Sequence, residues 1–420
     1  MPDEPDEPDE PSSYLPEVAR AHARCVWLDG GGAREWSGRR SLVGLLEPDD
    51  VSLSYDAARG EVTRHAGGAA TVVGDDPFAA LEAALAEGGD WFGWFGYAAR
   101  PDLPARPDAA PGGAGLPDAL WMRPSRLRFF DHPAPAPRPA RPRAEAPGPV
   151  PAAYAAAFAR VQEELHAGNS YEVNLTHRVS REHPADPATT YLRLRALNPA
   201  PYAGFVQHDV PGARGWLLSS SPERYALVTA DRRLETKPIK GTTPRGATPA
   251  EDAALAERLA TDPKYRAENL MIVDLLRNDL STVCEVGSVE VPSLMAVESY
   301  ETVHQLVSTV TGRLRPGVST VGALRALFPA GSMTGAPKLR TMEIVDAVEA
   351  TPRGVYAGAF GWVSADGRAD LGVVIRSLVT TGDGRWTLGT GGGITVGSDV
   401  TEEYAETRWK AERLLRALTG

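Results

Sequence analysis

The most informative stretch of the chain runs from Glu235 to Thr242 and reads ETKPIKGT. Pro238 has a fixed φ angle and no N–H to donate, so it should end a strand. Gly241 permits backbone angles and close approaches that other residues resist. We therefore expect Lys240 to lie on a short, constrained turn after that strand. For a lysine considered alone, a solvated surface position would be the simpler explanation.

Three other segments favour a functional role for Lys240 over a solvated surface position. They are residues 266–274 (RAENLMIVD), 331–338 (GSMTGAPK) and 391–407 (GGGITVGSDVTEEYAET). Together with PIKGT they resemble the chorismate-utilising enzymes, which include the synthase components of anthranilate and aminodeoxychorismate synthases and the isochorismate and salicylate synthases. The resemblance begins at about Tyr154. The lysine-containing PIKGT is similar to the aminodeoxychorismate-forming members, whereas anthranilate and isochorismate enzymes typically carry a small residue where Lys240 stands.

Composition limits the classes of function. The 420 residues carry a net charge of −11 and a pI near 5.3, which argues against a nucleic-acid-binding protein. No apolar run approaches the ~20 residues of a membrane span. The two cysteines, Cys25 and Cys284, are too few for a disulfide framework or a cysteine-based metal site. These features predict a cytoplasmic protein.

The chain divides by composition into four parts. Residues 1–13 repeat Pro-Asp-Glu and should form a disordered acidic tail. Residues 14–132 form an N-terminal region of mixed strands and turns. Residues 133–151 are rich in proline, alanine and arginine and should form an extended connector. Residues 152–420 are expected to be the chorismate-binding catalytic region.

Periodicity indicates both helices and antiparallel strands. Tyr154, Phe158, Val161 and Leu165 recur at helical spacing. Successive strands are predicted at 355–363, 371–380 and 385–390, and the short glycine-containing connections after the first two favour hairpins. The resemblance implies an α+β fold, with two large antiparallel β-sheets packed orthogonally and flanked by helices.

Acidic residues on two predicted helices suggest a metal site. Glu403 and Glu406 are three residues apart and should share one face of the last helix, while Glu268 lies beside an apolar run on another. Carboxylates that converge with water and an anionic substrate suit Mg²⁺. Two solvated acidic faces are the alternative. The resemblance implies that Glu268 and Glu406 are the Mg²⁺ ligands, with Glu403 beside them.

Chorismate carries two carboxylates. One can bind the metal, and the other needs cationic or backbone hydrogen-bond donors. Arg376 lies in an apolar run, where a guanidinium needs an anionic partner; a structural ion pair is about as plausible. The resemblance implies that Arg376 and Tyr356 clamp this carboxylate. The glycines at 391–393 (Gly391, Gly392 and Gly393) could add backbone N–H groups.

The remaining site assignments also follow from the resemblance. It implies that Ser332 and Thr334, in the 331–338 loop, donate hydrogen bonds to the substrate. This loop lacks the P-loop pattern, so we exclude nucleotide binding. His304 matches a histidine near the leaving hydroxyl group, although a lone histidine is more often structural. Glu223 matches the general acid–base glutamate. Thr242 is assigned to substrate binding.

One position separates reaction types within the family. Water-adding members typically carry lysine at the position of Glu172, and anthranilate synthases carry glutamine. An acid here argues against isochorismate chemistry, but the sequence leaves the role of Glu172 open.

The resemblance therefore implies Mg²⁺-dependent amination of chorismate with ammonia to 4-amino-4-deoxychorismate, the precursor of para-aminobenzoate. Lys240 would add to the ring at C2 and Glu223 would transfer protons. Lys240 must then be neutral, and we expect burial near a metal cation to lower its pKa. The alternatives are anthranilate synthase component I and a non-catalytic subunit that binds chorismate or a partner.

Ammonia needs a source. A class-I glutaminase requires a cysteine nucleophile on a glycine-rich elbow, and the sequences around Cys25 (Arg24-Cys25-Val26) and Cys284 (Val283-Cys284-Glu285) lack that setting. We expect a separate glutamine amidotransferase subunit, or free ammonia, to supply the nitrogen.

Overall fold

A computed structural model describes residues 10–30, 39–109, 113–132, 148–300 and 303–419. Its helices are α1 Pro11–Ala21, α2 Pro77–Leu85, α3 Ala152–His166, α4 Pro187–Leu197, α5 Pro249–Thr261, α6 Pro263–Ser281, α7 Thr320–Leu327, α8 Lys338–Val348 and α9 Val400–Thr419, with a 3-10 turn at Gly331–Met333.

The strands are β1 Arg24–Asp29, β2 Arg40–Leu45, β3 Ser52–Asp56, β4 Glu61–Ala66, β5 Ala69–Gly74, β6 Asp90–Phe95, β7 Ala119–Met122, β8 Arg126–Asp131, β9 Glu172–Glu182, β10 Tyr202–His208, β11 Gly215–Ser221, β12 Arg224–Val228, β13 Arg233–Lys237, β14 Ile239–Pro244, β15 Glu290–Ser299, β16 Val303–Arg313, β17 Gly335–Ala336, β18 Ala359–Ser364, β19 Ala369–Val373, β20 Ser377–Thr380 and β21 Arg385–Ile394.

These strands form two large antiparallel sheets, which confirms the α+β fold. The first sheet has nine strands in the order β17-β9-β21-β20-β11-β10-β1-β2-β8. The second has twelve, in the order β14-β16-β13-β12-β19-β18-β6-β7-β3-β4-β5, with β15 paired to β16. Both sheets combine strands from before and after the connector, so the N-terminal and catalytic regions share their hydrophobic core.

The expected segment boundaries are only partly covered. Residues 1–9 of the acidic tail and 133–147 of the connector lie outside the described residues, and α1 begins at Pro11, inside the segment expected to be disordered. α3 covers the predicted amphipathic helix, whose four apolar residues are buried. Within the described ranges, no helix has the length and apolar character to cross a membrane.

Lys240 lies on a bulged strand and not on a turn. Strand β13 ends just before Pro238, as expected, and β14 begins just after it; both pair with β16. The register shifts between Ile239 and Thr242, and Gly241 has a φ of +93°. Such a bulge re-aims a side chain away from the regular alternation of the strand. Here the bulge directs Lys240 toward α6 and the other sheet.

The predicted strand at 371–380 is in fact two strands. β19 belongs to the twelve-stranded sheet and β20 to the nine-stranded sheet, so the chain crosses between sheets at residues 374–376. Arg376 therefore lies at the crossing, with a φ of +50°, and not inside a continuous strand. The strand expected at 355–363 is also shorter, because β18 begins only at Ala359 and leaves Tyr356 in a turn.

Candidate active site

A single cleft gathers the predicted site residues except His304 and Thr334. It lies between α6, α9, the bulge in β14, the loop around Ser332 and the glycine-containing end of β21. The predicted residues that line it are Glu223, Lys240, Thr242, Glu268, Ser332, Tyr356, Arg376, Gly391, Gly392, Gly393, Glu403 and Glu406.

Inside the cleft, the Lys240 Nζ atom is paired with the Oε1 atom of Glu172 on β9. Both side chains are buried. Gly393 packs against the pair: a Cβ atom there would lie 2.1 Å from Glu172 Oε1 and 3.0 Å from Lys240 Nζ. Residues 172–176 are all buried, because both faces of that part of β9 are covered.

The expected lowering of the Lys240 pKa depends on a neighbouring metal cation and stays a prediction. Burial does work to lower the pKa, but the carboxylate of Glu172, and beyond it those of Glu268 and Glu223, outweigh this effect and raise the pKa of Lys240 above its usual value. Lys240 is therefore an ammonium group at neutral pH in this state.

Helices α6 and α9 present three carboxylates to the cleft, and two of them have lysine partners. Lys264 Nζ lies 3.1 Å from Glu403 Oε1, and Lys410 Nζ lies 2.7 Å from Glu406 Oε1. The proximity of Lys410 lowers the pKa of Glu406. Glu268 differs, because its buried Oε1 has no hydrogen-bond partner among the described residues, and burial raises its pKa to about 7.

These acids fit a hard divalent cation, but not as a complete cage. Within the described parts of the chain, no three acidic, histidine or cysteine side chains lie close enough to hold a metal by themselves. Glu268, Glu403 and Glu406 nevertheless line the same cleft and offer carboxylate oxygens, and the buried Oε1 of Glu268 has no hydrogen-bond partner in the described chain. Mg²⁺ takes few protein carboxylates and fills its remaining positions with water and substrate oxygens.

Glu223 combines burial with access to the cleft. Burial raises its pKa to about 7, against the opposing effects of the Ser332 hydroxyl and the Lys240 ammonium. A carboxyl group with this pKa can both donate and accept a proton near neutral pH.

The guanidinium of Arg376 has no carboxylate within ion-pair distance in the described ranges. It lies over the Trp409 ring, with Cζ 5.4 Å from the centroid. Desolvation, with a contribution from Arg413, lowers the pKa of Arg376 to about 10, so it stays charged. Tyr356 packs on Gly389, where a Cβ would lie 2.2 Å from the ring. A fork of N–H donors thus remains available for an anion.

Two predicted residues do not enter the cleft. His304 is on β16, and its ring nitrogens contact Asp252 Oδ1 at 2.9 Å and Ser299 Oγ at 2.8 Å. Thr334 is fully buried, and its hydroxyl donates to the backbone carbonyl of Gly331 at 3.2 Å. The expected catalytic role of His304 and the substrate contact of Thr334 therefore lack support in this geometry, since both side chains are occupied within the fold.

Residues 24–416 match the family model described as chorismate binding enzyme. The chain belongs to this family. An aminodeoxychorismate synthase from Streptomyces griseus is 54% identical over 257 residues, which are 61% of this chain and 35% of that protein. Aminodeoxychorismate synthase component 1 of Escherichia coli (strain K12) is 43% identical over 265 residues, or 63% of this chain and 57% of that one.

Among solved structures, anthranilate synthase component I from Streptococcus pneumoniae superimposes with a TM-score of 0.73 at 26% identity, covering 90% of this chain and 93% of that one. This similarity confirms the expected fold. The matched parts are about a third to somewhat over half of the two sequence relatives, so this chain corresponds to only a portion of each.

Several residues that line the cleft were not predicted from the sequence. Lys264 and Lys410 both face the acidic groups, and the polar side chains of Asn174 and Gln305 are also part of the lining. Helical spacing could have found the two lysines, because Lys264 precedes Glu268 by four residues and Lys410 follows Glu406 by four. No comparable signal marked Asn174 or Gln305.

Proposed function

We propose that this chain catalyses the Mg²⁺-dependent amination of chorismate with ammonia to 4-amino-4-deoxychorismate. The observation that carries the proposal is Lys240, buried on a bulge and aimed into the cleft between Glu223, Glu172 and Glu268. The names of the S. griseus and E. coli relatives support the same reaction.

The charges in the cleft suit a dicarboxylate. Arg376, with Tyr356 beside it, would bind one carboxylate of chorismate through paired N–H donors. The glycine run at 391–393 pairs with β9 on one edge, while β20 pairs with Trp386 and Thr387 and stops short of it. The substrate can thus approach this backbone closely.

Glu268, Glu406 and the adjacent Glu403 would hold the metal. When bound, Mg²⁺ would neutralise the second carboxylate of chorismate and fix its position.

Lys240 and Glu223 would perform the substitution. The Lys240 amine would attack C2 of the ring as the C4 hydroxyl group leaves, and the carboxyl group of Glu223 would protonate that leaving group. Ammonia would then attack C4 and expel the lysine from C2. The raised pKa of Glu223, about 7 because of burial, suits both donation and later acceptance of a proton.

Ammonia would come from a separate glutamine amidotransferase subunit or from solution. The term "component 1" in the name of the E. coli relative supports a partner subunit. Both cysteines of this chain are buried, and burial raises the pKa of Cys25 to about 12 and that of Cys284 to about 11, unlike an activated nucleophile. A cytoplasmic location is consistent with these two free thiols.

Anthranilate synthase is the second candidate, favoured by the structural similarity to the S. pneumoniae protein. Lys240 argues against it, because the resemblance places a small residue there in anthranilate enzymes. A non-catalytic chorismate- or partner-binding role is less consistent with the presence of Lys240, Glu223, Glu268 and Glu406 in one cleft.

The decisive experiment is product identification by mass spectrometry after incubation with chorismate, Mg²⁺ and an ammonium salt. We expect 4-amino-4-deoxychorismate, together with a Lys240 adduct in the intact-mass spectrum. Lys240→Ala should abolish the adduct and slow the reaction severely, and Lys240→Arg should not restore it. Anthranilate as the product, or a wild-type rate in Lys240→Ala, would contradict the proposal. Glutamine should support turnover only when a glutaminase subunit is added.

A further inference from the structure

We propose that Glu172 is the proton acceptor that converts the Lys240 ammonium into the nucleophilic amine. This inference rests on the proposed function and assigns a role to a residue that the family pattern leaves open. Lys240 must be neutral to attack C2 of the ring, yet the structure holds it in an ion pair with Glu172.

Contact geometry identifies the acceptor. Glu172 Oε1 is paired directly with Lys240 Nζ, and among the described residues no other carboxylate lies within ion-pair distance of this nitrogen. The second oxygen of Glu172, Oε2, is buried and has no hydrogen-bond partner in the described chain. Proton transfer to Glu172 therefore requires no rearrangement of the protein.

The surroundings favour a neutral pair once the cleft is filled. Glu172 is fully buried, Lys240 is 8% exposed, and the backbone at Gly393 leaves no room for a side chain beside them. A substrate over Lys240 would displace the remaining water. Loss of water penalises two charges more than two neutral groups, so the amine and carboxylic acid forms gain relative to the ion pair.

Other charged groups nearby act less directly. Glu223 and Glu268 face the same amine from the start of β12 and from α6, and both favour the ammonium form. Lys264 and Lys410 face those acids from α6 and α9 and partly offset them. None of these groups shares the direct contact that Glu172 makes.

The proton balance closes over the reaction. Lys240–NH₃⁺ gives one proton to the Glu172 carboxylate, and the amine forms the N–C2 bond while the C4–O bond breaks. Glu223 supplies the proton that turns the leaving hydroxide into water. Ammonia then forms the N–C4 bond as the C2–N bond breaks and the neutral amine leaves. The new ammonium returns a proton to Glu223, and Glu172 returns its proton to Lys240.

The test measures the rate of Lys240 adduct formation with chorismate and Mg²⁺, without ammonia, by rapid quench and intact-mass analysis from pH 6 to 9. Wild type is compared with Glu172→Gln, which keeps the shape but accepts no proton, and with Glu172→Asp, which keeps the carboxylate. Glu298→Gln is the matched control, because Glu298 pairs with Lys237 at 3.0 Å outside the cleft. Folding of each variant is checked by circular dichroism and thermal unfolding.

Titration of Glu223 affects the variant and the wild type alike, so its effect drops out of the ratio of variant rate to wild-type rate. For Glu172→Gln we expect this ratio to fall about tenfold per pH unit below the pKa of the amine, because Lys240 must first lose its proton to solvent. For Glu172→Asp and Glu298→Gln it should not vary with pH. A ratio for Glu172→Gln that is independent of pH, at any level, would overturn the acceptor role. Absence of an adduct in the wild type would overturn the covalent role of Lys240, and this inference with it.

Discussion

Lys264 Nζ lies 3.1 Å from Glu403 Oε1, so a lysine of the chain itself neutralises one carboxylate of the candidate Mg²⁺ site. A cation that binds there must compete with this ammonium group or lie close to it. Replacing the lysine should therefore strengthen metal binding.

We expect Lys264→Met to lower the Kd for Mg²⁺ by about three- to tenfold, the effect of removing one positive charge several ångströms from a divalent ion at high effective dielectric. Titration calorimetry at low salt measures this. Lys264→Arg keeps the charge and is the control, with an affinity near that of the wild type. An unchanged or weaker affinity in Lys264→Met would place the metal elsewhere.

Glu268 supplies a prediction about stability. Its folded-state pKa is about 7, above its ordinary value of 4.5, because burial disfavours the carboxylate. The folded state therefore binds this proton more tightly than the unfolded state, so Glu268 costs nothing at pH 4 and its cost grows as pH rises from about 4.5 to 7.

Glu268→Gln should consequently raise the free energy of unfolding at pH 8 by roughly 1–3 kcal/mol and leave it almost unchanged at pH 4. Urea unfolding at both pH values tests this. Mg²⁺ should stabilise the wild type at pH 8 and stabilise Glu268→Gln much less. An equal stabilisation of both proteins by Mg²⁺ would remove Glu268 from the metal site.

Arg376 is expected both to bind chorismate and to lower the stability of the fold. Its guanidinium has no carboxylate partner in the described chain and is stacked on Trp409. Arg376→Met keeps much of the side-chain volume but removes the charge. We expect KM for chorismate to rise about a hundredfold, through the lost charge-assisted hydrogen bonds, while the free energy of unfolding rises by about 1 kcal/mol.

Steady-state kinetics and urea unfolding of this variant test both expectations. Arg376→Lys should recover the charge but little of the affinity, because an ammonium group cannot reproduce the planar fork of donors. An unchanged KM in Arg376→Met would assign the arginine a purely structural role.

The sequence motifs predicted which residues line the cleft better than they predicted the contacts among those residues. Most of the residues assigned from the motifs line one cleft, because the elements that carry these motifs all border it. His304 matched its local motif equally well, yet Asp252 on α5 and Ser299 on β15 hold its ring away from the cleft. Such partners come from distant segments, so local sequence could not reveal them.

Tertiary context also decides the charges around Lys240. The sequence left the role of Glu172 open, and the covered end of β9 buries this residue against Lys240. Burial lowers the pKa of Lys240, but its carboxylate neighbours outweigh this effect and raise it. The crossing at Arg376 was hidden for a similar reason, because a continuous apolar run does not show that two sheets share it.

Gly393 offers a steric test of the Glu172–Lys240 pair. A Cβ at this position would lie 2.1 Å from Glu172 Oε1, well inside van der Waals contact. Gly393→Ala should push the pair apart and lower kcat at least tenfold, since a shift of about 1 Å at a reacting group can cost about a hundredfold in rate. Gly397→Ala is the control, because a Cβ there meets no atom within 4 Å. Wild-type kcat in Gly393→Ala would show that the observed pairing is dispensable.

The last prediction concerns the pH dependence set by Glu223. Burial raises its pKa from 4.5 to about 7, so the carboxyl group is mostly protonated below pH 7 and ionised above it. The protonated form is the one that can protonate the departing C4 hydroxyl group. We therefore expect kcat/KM for chorismate to be highest below about pH 7 and to fall about tenfold per pH unit well above it.

Glu223→Gln should lose roughly 10²–10⁴-fold in kcat/KM, the usual contribution of a positioned general acid, and should lose this alkaline decline as well. The measurement is a series of initial rates from pH 5.5 to 9.5 at saturating Mg²⁺ and a fixed concentration of free ammonia. Fixing free ammonia rather than total ammonium is essential, because the nucleophile itself becomes more abundant as pH rises. If Glu223→Gln kept the alkaline decline at a reduced rate, another group would have to supply the proton to the leaving hydroxyl.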